Sequence, residues 1–156
     1  MAFVALNGVN VNYYDQGPAD GCGVLFLHGW GSRFEPFRPF LDRIAEHGYR
    51  VCAPDLPGFG QSDEPPAAWD VDGYADFALD FLAGLNIKSA VLIGHSFGGR
   101  IIIKLAAREN LPIKIPKIIL IDSAGIRGKK TLRQTARVLF FKTVKRIVSI
   151  GYLQKK

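Results

Sequence analysis

The apolar residues of this chain fall into short runs of two different periods. Phe3 to Leu6 and Val9 to Tyr14 are strand-like runs on either side of Asn7-Gly8, a pair that accepts the positive φ angles of a two-residue hairpin. Gly17 to Gly21 reads as a turn. Gly23-Val24-Leu25-Phe26-Leu27 is apolar without alternation, the pattern of a strand covered on both faces of a parallel sheet. The period then changes. Phe37, Leu41, Ile44 and Ala45 recur at helical spacing, with Pro36 and Pro39 in the first turn and Gly48 at the end. A strand around Val51 leads into Pro54 to Ser62, a loop dense in turn formers. Tyr74, Phe77, Ala78, Phe81, Leu82 and Leu85 mark a second helix, with Asp70 or Asp72 available as its cap. Lys117 to Asp122 reads as another buried strand. Strands and helices alternating at these intervals predict an α/β fold, a mostly parallel, doubly wound sheet of about six strands.

One junction stands out. Val91-Leu92-Ile93 is a buried-strand pattern that stops at Gly94-His95-Ser96-Phe97-Gly98 and resumes as a helix carrying Ile101, Ile102, Ile103 and Leu105. The five residues fit G-x-S-x-G, a strand-to-helix turn sharp enough to lift a serine hydroxyl clear of the sheet. Such a serine sits in a strained backbone conformation held by its surroundings. Gly94 and Gly98 remove Cβ atoms that would collide across the turn. A helix starting here aims its free N–H groups at the place where an oxyanion forms.

Composition adds mainly a charge asymmetry. Met1 to Asp122 holds ten Lys and Arg against all fourteen acids, a net of −4, whereas Ser123 to Lys156 holds ten Lys and Arg and no acid, a net of +10. The overall charge of +6 therefore belongs to the tail and not to the part that carries the turn. Cys22 and Cys52 are too few for a disulfide framework, and Cys52 reads as a buried small hydrophobe. With no secretory leader pattern and no apolar run of about 20 residues, a cytoplasmic setting is expected. No ligand cluster implies a metal or an organic cofactor.

His28-Gly29-Trp30 at the end of the third strand, the Pro54-to-Ser62 loop and the elbow occur in the order found in the α/β-hydrolase superfamily, which the chain resembles from about Val9 to Ala124. It looks closest to the lid-bearing, small bacterial serine hydrolases. The resemblance implies Ser96 as nucleophile, with the backbone N–H groups of Trp30 and Phe97 as oxyanion donors. His28, Gly29, Gly94 and Gly98 would support the elbow and its facing loop. Haloalkane dehalogenases and epoxide hydrolases carry an aspartate at the position of Ser96, so neither activity is implied. What is implied is cleavage of an ester or related acyl bond in a small molecule, through an acyl-enzyme.

A serine hydroxyl needs a base, and the base needs an orienting carboxylate. In this fold they follow in the order serine, acid, histidine, yet the three histidines, His28, His47 and His95, all precede Ser96. His28 reads as a shaper of the oxyanion loop, His95 as pointing away from the nucleophile, and His47 as a solvated residue at a helix end. Asp122 closes the sixth strand, where some superfamily members place the triad acid, and is the candidate acid here. Asp55 and Ser62 read as organisers of their own loop. The resemblance thus implies a chain that stops before the last two strands, with an open sheet edge and impaired turnover.

Residues 1–124 are read as the hydrolase core and 125–156 as a basic amphipathic helix that begins a lid. In that tail Leu132, Ala136, Leu139, Phe140, Val144, Ile147 and Val148 share one side, and Lys or Arg fills much of the rest. The alternative is a non-catalytic product whose residues 129–156 contact an anionic membrane surface or a partner's groove. Nucleic acid is not implied, because no reading module accompanies the charge.

Overall fold

A computed structural model describes residues 2–125. The expectations for residues 126–156, a basic helix and a lid, lie outside the described residues.

A six-stranded sheet with the order β1-β2-β4-β3-β5-β6 forms the frame. β1 (Ala2–Leu6) and β2 (Val9–Gln16) make the hairpin, with Asn7 at φ 50° and Gly8 at φ 80° in its turn. β2 pairs antiparallel with β4 (Tyr49–Pro54). From there the sheet is parallel: β4 with β3 (Cys22–Leu27), β3 with β5 (Ala90–His95), and β5 with β6 (Ile118–Ile121). The chain runs out to β4 and back past β3 to β5. The carboxyl ends of β3 and β5 are therefore neighbours at the point where the winding reverses, the crevice in which α/β sheets bind ligands.

Helices cover both faces. Along β3 the side chains alternate: Val24 and Phe26 join the cluster of Leu41 under α1 (Arg38–Glu46), whereas Leu25 and Leu27 join the cluster under the other two helices. Those are α2 (Val71–Gly84) and α3 (Phe97–Ala106), which contribute Phe77, Phe81, Ile101, Ile102 and Leu105 among others. This two-sided cover explains the unbroken apolar run of β3. Asp70 is the cap of α2, its Oδ1 accepting the Gly73 N–H at 3.0 Å. The helix expected to contain both Pro36 and Pro39 is divided. Glu35–Phe37 is a single 3-10 turn, and α1 starts at Arg38 with Pro39 in its first turn. Pro36 falls in the 3-10 turn, and Pro39 sits in the first turn of α1, where an N–H has no intrahelical partner to lose.

The buried strand expected at Lys117 to Asp122 needs correcting. β6 is shorter and lies at the sheet edge among the described residues, with Ile118, Ile119 and Ile121 exposed. Its composition is that of a covered strand, but β5 is its one described partner.

Candidate active site

Ser96 follows the last residue of β5 and caps α3, with φ 51° and ψ −109°. That positive φ is strained for a residue with a Cβ, and such strain persists only where neighbours over-determine it. The neighbours here are identifiable. The Ser96 N–H donates to the Ile121 carbonyl at 3.0 Å, and the Ser96 carbonyl accepts from the Ala124 N–H at 3.0 Å. The nucleophile candidate is thus tied by its backbone to β6 and to the loop that follows it.

Gly94 and Gly98 both prove necessary, for different reasons. A Cβ on Gly94 would lie 2.5 Å from the Gly99 Cα, a collision across the turn, as the sequence suggests. A Cβ on Gly98 would instead overlap the Leu27 carbonyl, 2.5 Å from its carbon and 2.8 Å from the His28 oxygen. Gly98 therefore lets the start of α3 rest directly on β3. The G-x-S-x-G pattern assigns Gly99 no role, yet a Cβ there would strike the Ser123 side chain, 2.7 Å from its Cβ. This third glycine is what admits the loop after β6.

The segment after β3 completes the opposite wall. Gly29 passes so close to the elbow that a Cβ would sit 3.3 Å from the Ser96 Cβ and 3.2 Å from the His95 Nδ1. Gly29 to Ser32 is a tight turn, closed by the Ser32 N–H on the Gly29 carbonyl at 3.1 Å, with Gly31 at φ 68°. Trp30 occupies this turn. Neither its backbone N–H nor that of Phe97 has an acceptor among the described residues. Two donors without an acceptor among the described residues thus lie near the elbow, one on the residue after Gly29 and one on the first residue of α3, where the helix dipole favours negative charge.

His28 is fully buried and both ring nitrogens are engaged. Its Nε2 accepts the Leu56 N–H at 2.9 Å, so Nδ1 carries the proton and donates to the Gly29 carbonyl at 2.8 Å. Burial holds its pKa below the usual histidine value. This ring joins the turn after β3 to the loop after β4 and has no nitrogen left to serve Ser96. His95 packs its ring on Phe37, with centroids 5.1 Å apart, and its buried Nδ1 has no partner among the described residues. His47 caps the exposed end of α1, where its Nδ1 lies 2.7 Å from the Arg43 carbonyl. No histidine makes a hydrogen bond to Ser96 among the described residues.

Asp122 lies just past β6 at φ 45°, exposed, and its carboxylate takes no hydrogen bond among the described residues. Asp55 is the buried carboxylate of this region. It accepts from the Phe34 N–H, the Gln61 N–H and the Asn12 Nδ2, each at 2.9 Å. Ser62 supports the same loop by donating to the Asp55 carbonyl at 2.7 Å and accepting the Asn12 N–H at 3.0 Å. These bonds shape the loop and point to no reacting group. The buried Cys52 thiol is also no rival nucleophile, since burial and then the adjacent Asp15 raise its pKa.

No spacing in the sequence marks aromatic side chains as part of the site. The structure closes four of them into a circuit. Trp30 meets Phe97 at 5.1 Å, Phe97 meets Tyr74 at 5.4 Å, Tyr74 meets Phe59 at 6.5 Å, and Phe59 meets Trp30 at 4.9 Å between ring centroids. Tyr74 is held from below by donating its hydroxyl to the Pro57 carbonyl at 3.0 Å.

Comparison with known proteins agrees with this fold. A family model described as the alpha/beta hydrolase fold matches residues 24–147. A non-heme chloroperoxidase of Streptomyces lividans is 37% identical over 117 residues, covering 75% of this chain and 42% of the relative. A 2-hydroxymuconate semialdehyde hydrolase of Pseudomonas sp. (strain CF600) is 35% identical over 123 residues, 76% of this chain and 42% of the relative. Among solved structures, a bacterial membrane phospholipase A superposes with a TM-score of 0.76 at 31% identity, over 83% of this chain and 41% of that one. The chain thus spans about two fifths of the length of the relatives it matches. Among the described residues no helix is long and apolar enough to cross a membrane.

Proposed function

The chain belongs to the alpha/beta hydrolase fold family, and from that premise we propose that it carries the nucleophile and oxyanion portion of a serine hydrolase. The bond attacked is an ester or related acyl bond of a small molecule. Ser96 Oγ adds to the carbonyl carbon, and the oxygen, now negatively charged, is received by the N–H groups of Trp30 and Phe97. Collapse expels the alcohol and leaves an acyl-enzyme, which water releases. Donors of this kind face charge present only in the transition state, and loss of one costs about 3–4 kcal/mol in known enzymes. The proton of Ser96 must go to a base, and none of the three histidines of the sequence makes a hydrogen bond to Ser96: His28 and His47 bond other groups, and the buried His95 Nδ1 has no partner among the described residues. These 156 residues therefore supply attack geometry without the base, and turnover by them alone is impaired.

The observation that carries this reading is the φ of 51° at Ser96, together with two nearby N–H groups that have no acceptor among the described residues. Incubation with a fluorophosphonate probe, with Ser96→Ala as blank, tests it. Slow labelling that maps to Ser96, rises with pH and vanishes in the variant is the expected result. Equal labelling of the variant removes Ser96 as the nucleophile. Rapid stoichiometric labelling near neutral pH shows that a base is present after all.

A further inference from the structure

The aromatic circuit deepens the reading just given, and the inference drawn from it rests on that reading. Three of its four rings are wholly or partly covered: Tyr74 is buried, and Phe59 and Phe97 are half-buried. Trp30 is different. It is 65% exposed although two rings touch its indole, at 4.9 and 5.1 Å and at interplanar angles of 70° and 90°. Both contacts are edge-to-face, an arrangement that fixes a ring's orientation while covering little of its area. The indole is thus held in place with most of its surface open. An isolated exposed aromatic needs no explanation. One oriented by a closed circuit, on the residue that follows Gly29 where the chain passes against Ser96, is a prepared contact surface.

We infer that Trp30 is a specificity-determining residue that selects substrates whose acyl group is planar and unsaturated, such as an aryl group attached directly to the carbonyl carbon. Reach decides which part of the substrate meets the ring. The carbonyl oxygen bound by the Trp30 and Phe97 amides puts the carbonyl carbon within one residue of the indole. The first group attached to that carbon then lies against the ring system. A flat π surface stacks on an indole or meets its edge, whereas a puckered saturated ring of equal carbon number only buries area there. Holding the indole in advance lowers the ordering cost of that contact.

Benzoate and cyclohexanecarboxylate provide the comparison, because each offers a carboxylate for the two amides and a six-membered ring, flat in one and puckered in the other. The full chain is titrated with each acid while amide and indole resonances are followed by two-dimensional NMR. Benzoate is expected to bind roughly fivefold more tightly, with ring-current shifts at the Trp30 indole N–H. Trp30→Leu should bring the two acids to parity, and Trp30→Phe should restore part of the preference. Equal affinities in the native chain, or a preference that survives Trp30→Leu, overturn the inference and leave the oxyanion reading standing. If neither acid shifts the Trp30 and Phe97 amides, the oxyanion reading itself fails and the inference falls with it.

Discussion

Gly98→Ala adds one methyl group and separates two reasons for which a glycine is irreplaceable. Gly98 lies in the first turn of α3, and its φ is not in the left-handed region, so alanine there is conformationally acceptable. The objection is space. The new Cβ would overlap the Leu27 carbonyl and lie 2.8 Å from the His28 oxygen, so it meets backbone of a central strand and no movable side chain. Ordinary carbon–carbon and carbon–oxygen contacts are well above about 3 Å, so α3 must withdraw from β3 by about an ångström, loosening contacts of Ile101, Ile102 and Leu105 as it goes. Over-packing of this kind costs about 3 kcal/mol, at the top of the usual range because nothing can rotate away. With a urea slope of about 1.5 kcal/mol per molar, the unfolding midpoint should fall by about 2 M. Gly48→Ala is the control. Gly48 has φ 84° and no atom within 4 Å of the place a Cβ would take, so alanine there meets strain without collision, about 1 kcal/mol. Equilibrium urea unfolding followed by circular dichroism measures both. A Gly98→Ala midpoint within about 0.3 M of the native chain, or a larger loss for Gly48→Ala, would refute the reasoning.

Two further outcomes follow from the buried polar groups. The His28 pKa is lowered in the folded chain by burial, so the unfolded state binds its proton first as pH falls. The contribution of His28 is whole above its unfolded pKa of about 6.5 and is lost as pH drops from there through the folded value. Stability measured from about pH 7.5 down to about pH 5 should therefore decline, and His28→Asn should flatten that slope while lowering stability throughout; an unchanged slope counts against the assignment. Asp55→Ala leaves the buried Phe34 N–H and Asn12 amide without their acceptor and should cost about 3 kcal/mol in the same unfolding assay. Asp63→Ala, which removes an exposed acceptor for the Asn10 N–H at 3.2 Å, should cost under about 1 kcal/mol, and parity between the two would contradict the role given to Asp55.

Much of the frame is legible in the order of residues because the signals are local. Asn7-Gly8 writes its turn in two residues, Asp70 caps the helix it precedes, and the Ser96 elbow has glycines where a side chain cannot fit. What escapes is whatever depends on a distant neighbour. Asn12 alternates with Val9 and Val11 as a solvent-facing residue would, yet it is 1% exposed because the loop after β4 folds over it to reach Asp55 and Ser62. β6 has the composition of a covered strand, and composition does not say whether a second neighbour is present. Gly98 is needed for its approach to β3, which the motif alone does not reveal. The aromatic circuit draws its members from separate loops and helices, so no spacing announces it. A Gly-Gly pair after the serine is the one available hint that another segment comes close at Ser123.

The ties from Ser96 to Ile121 and Ala124 carry a consequence for how the site would age and recover. Ser96, held at a strained angle, takes its posture from the margin of the described sheet. When that margin frays, the serine relaxes toward an ordinary angle before the interior has begun to open. Loss of the Ser96 geometry should then precede loss of fold, and whatever seals the margin also sets the posture of that residue.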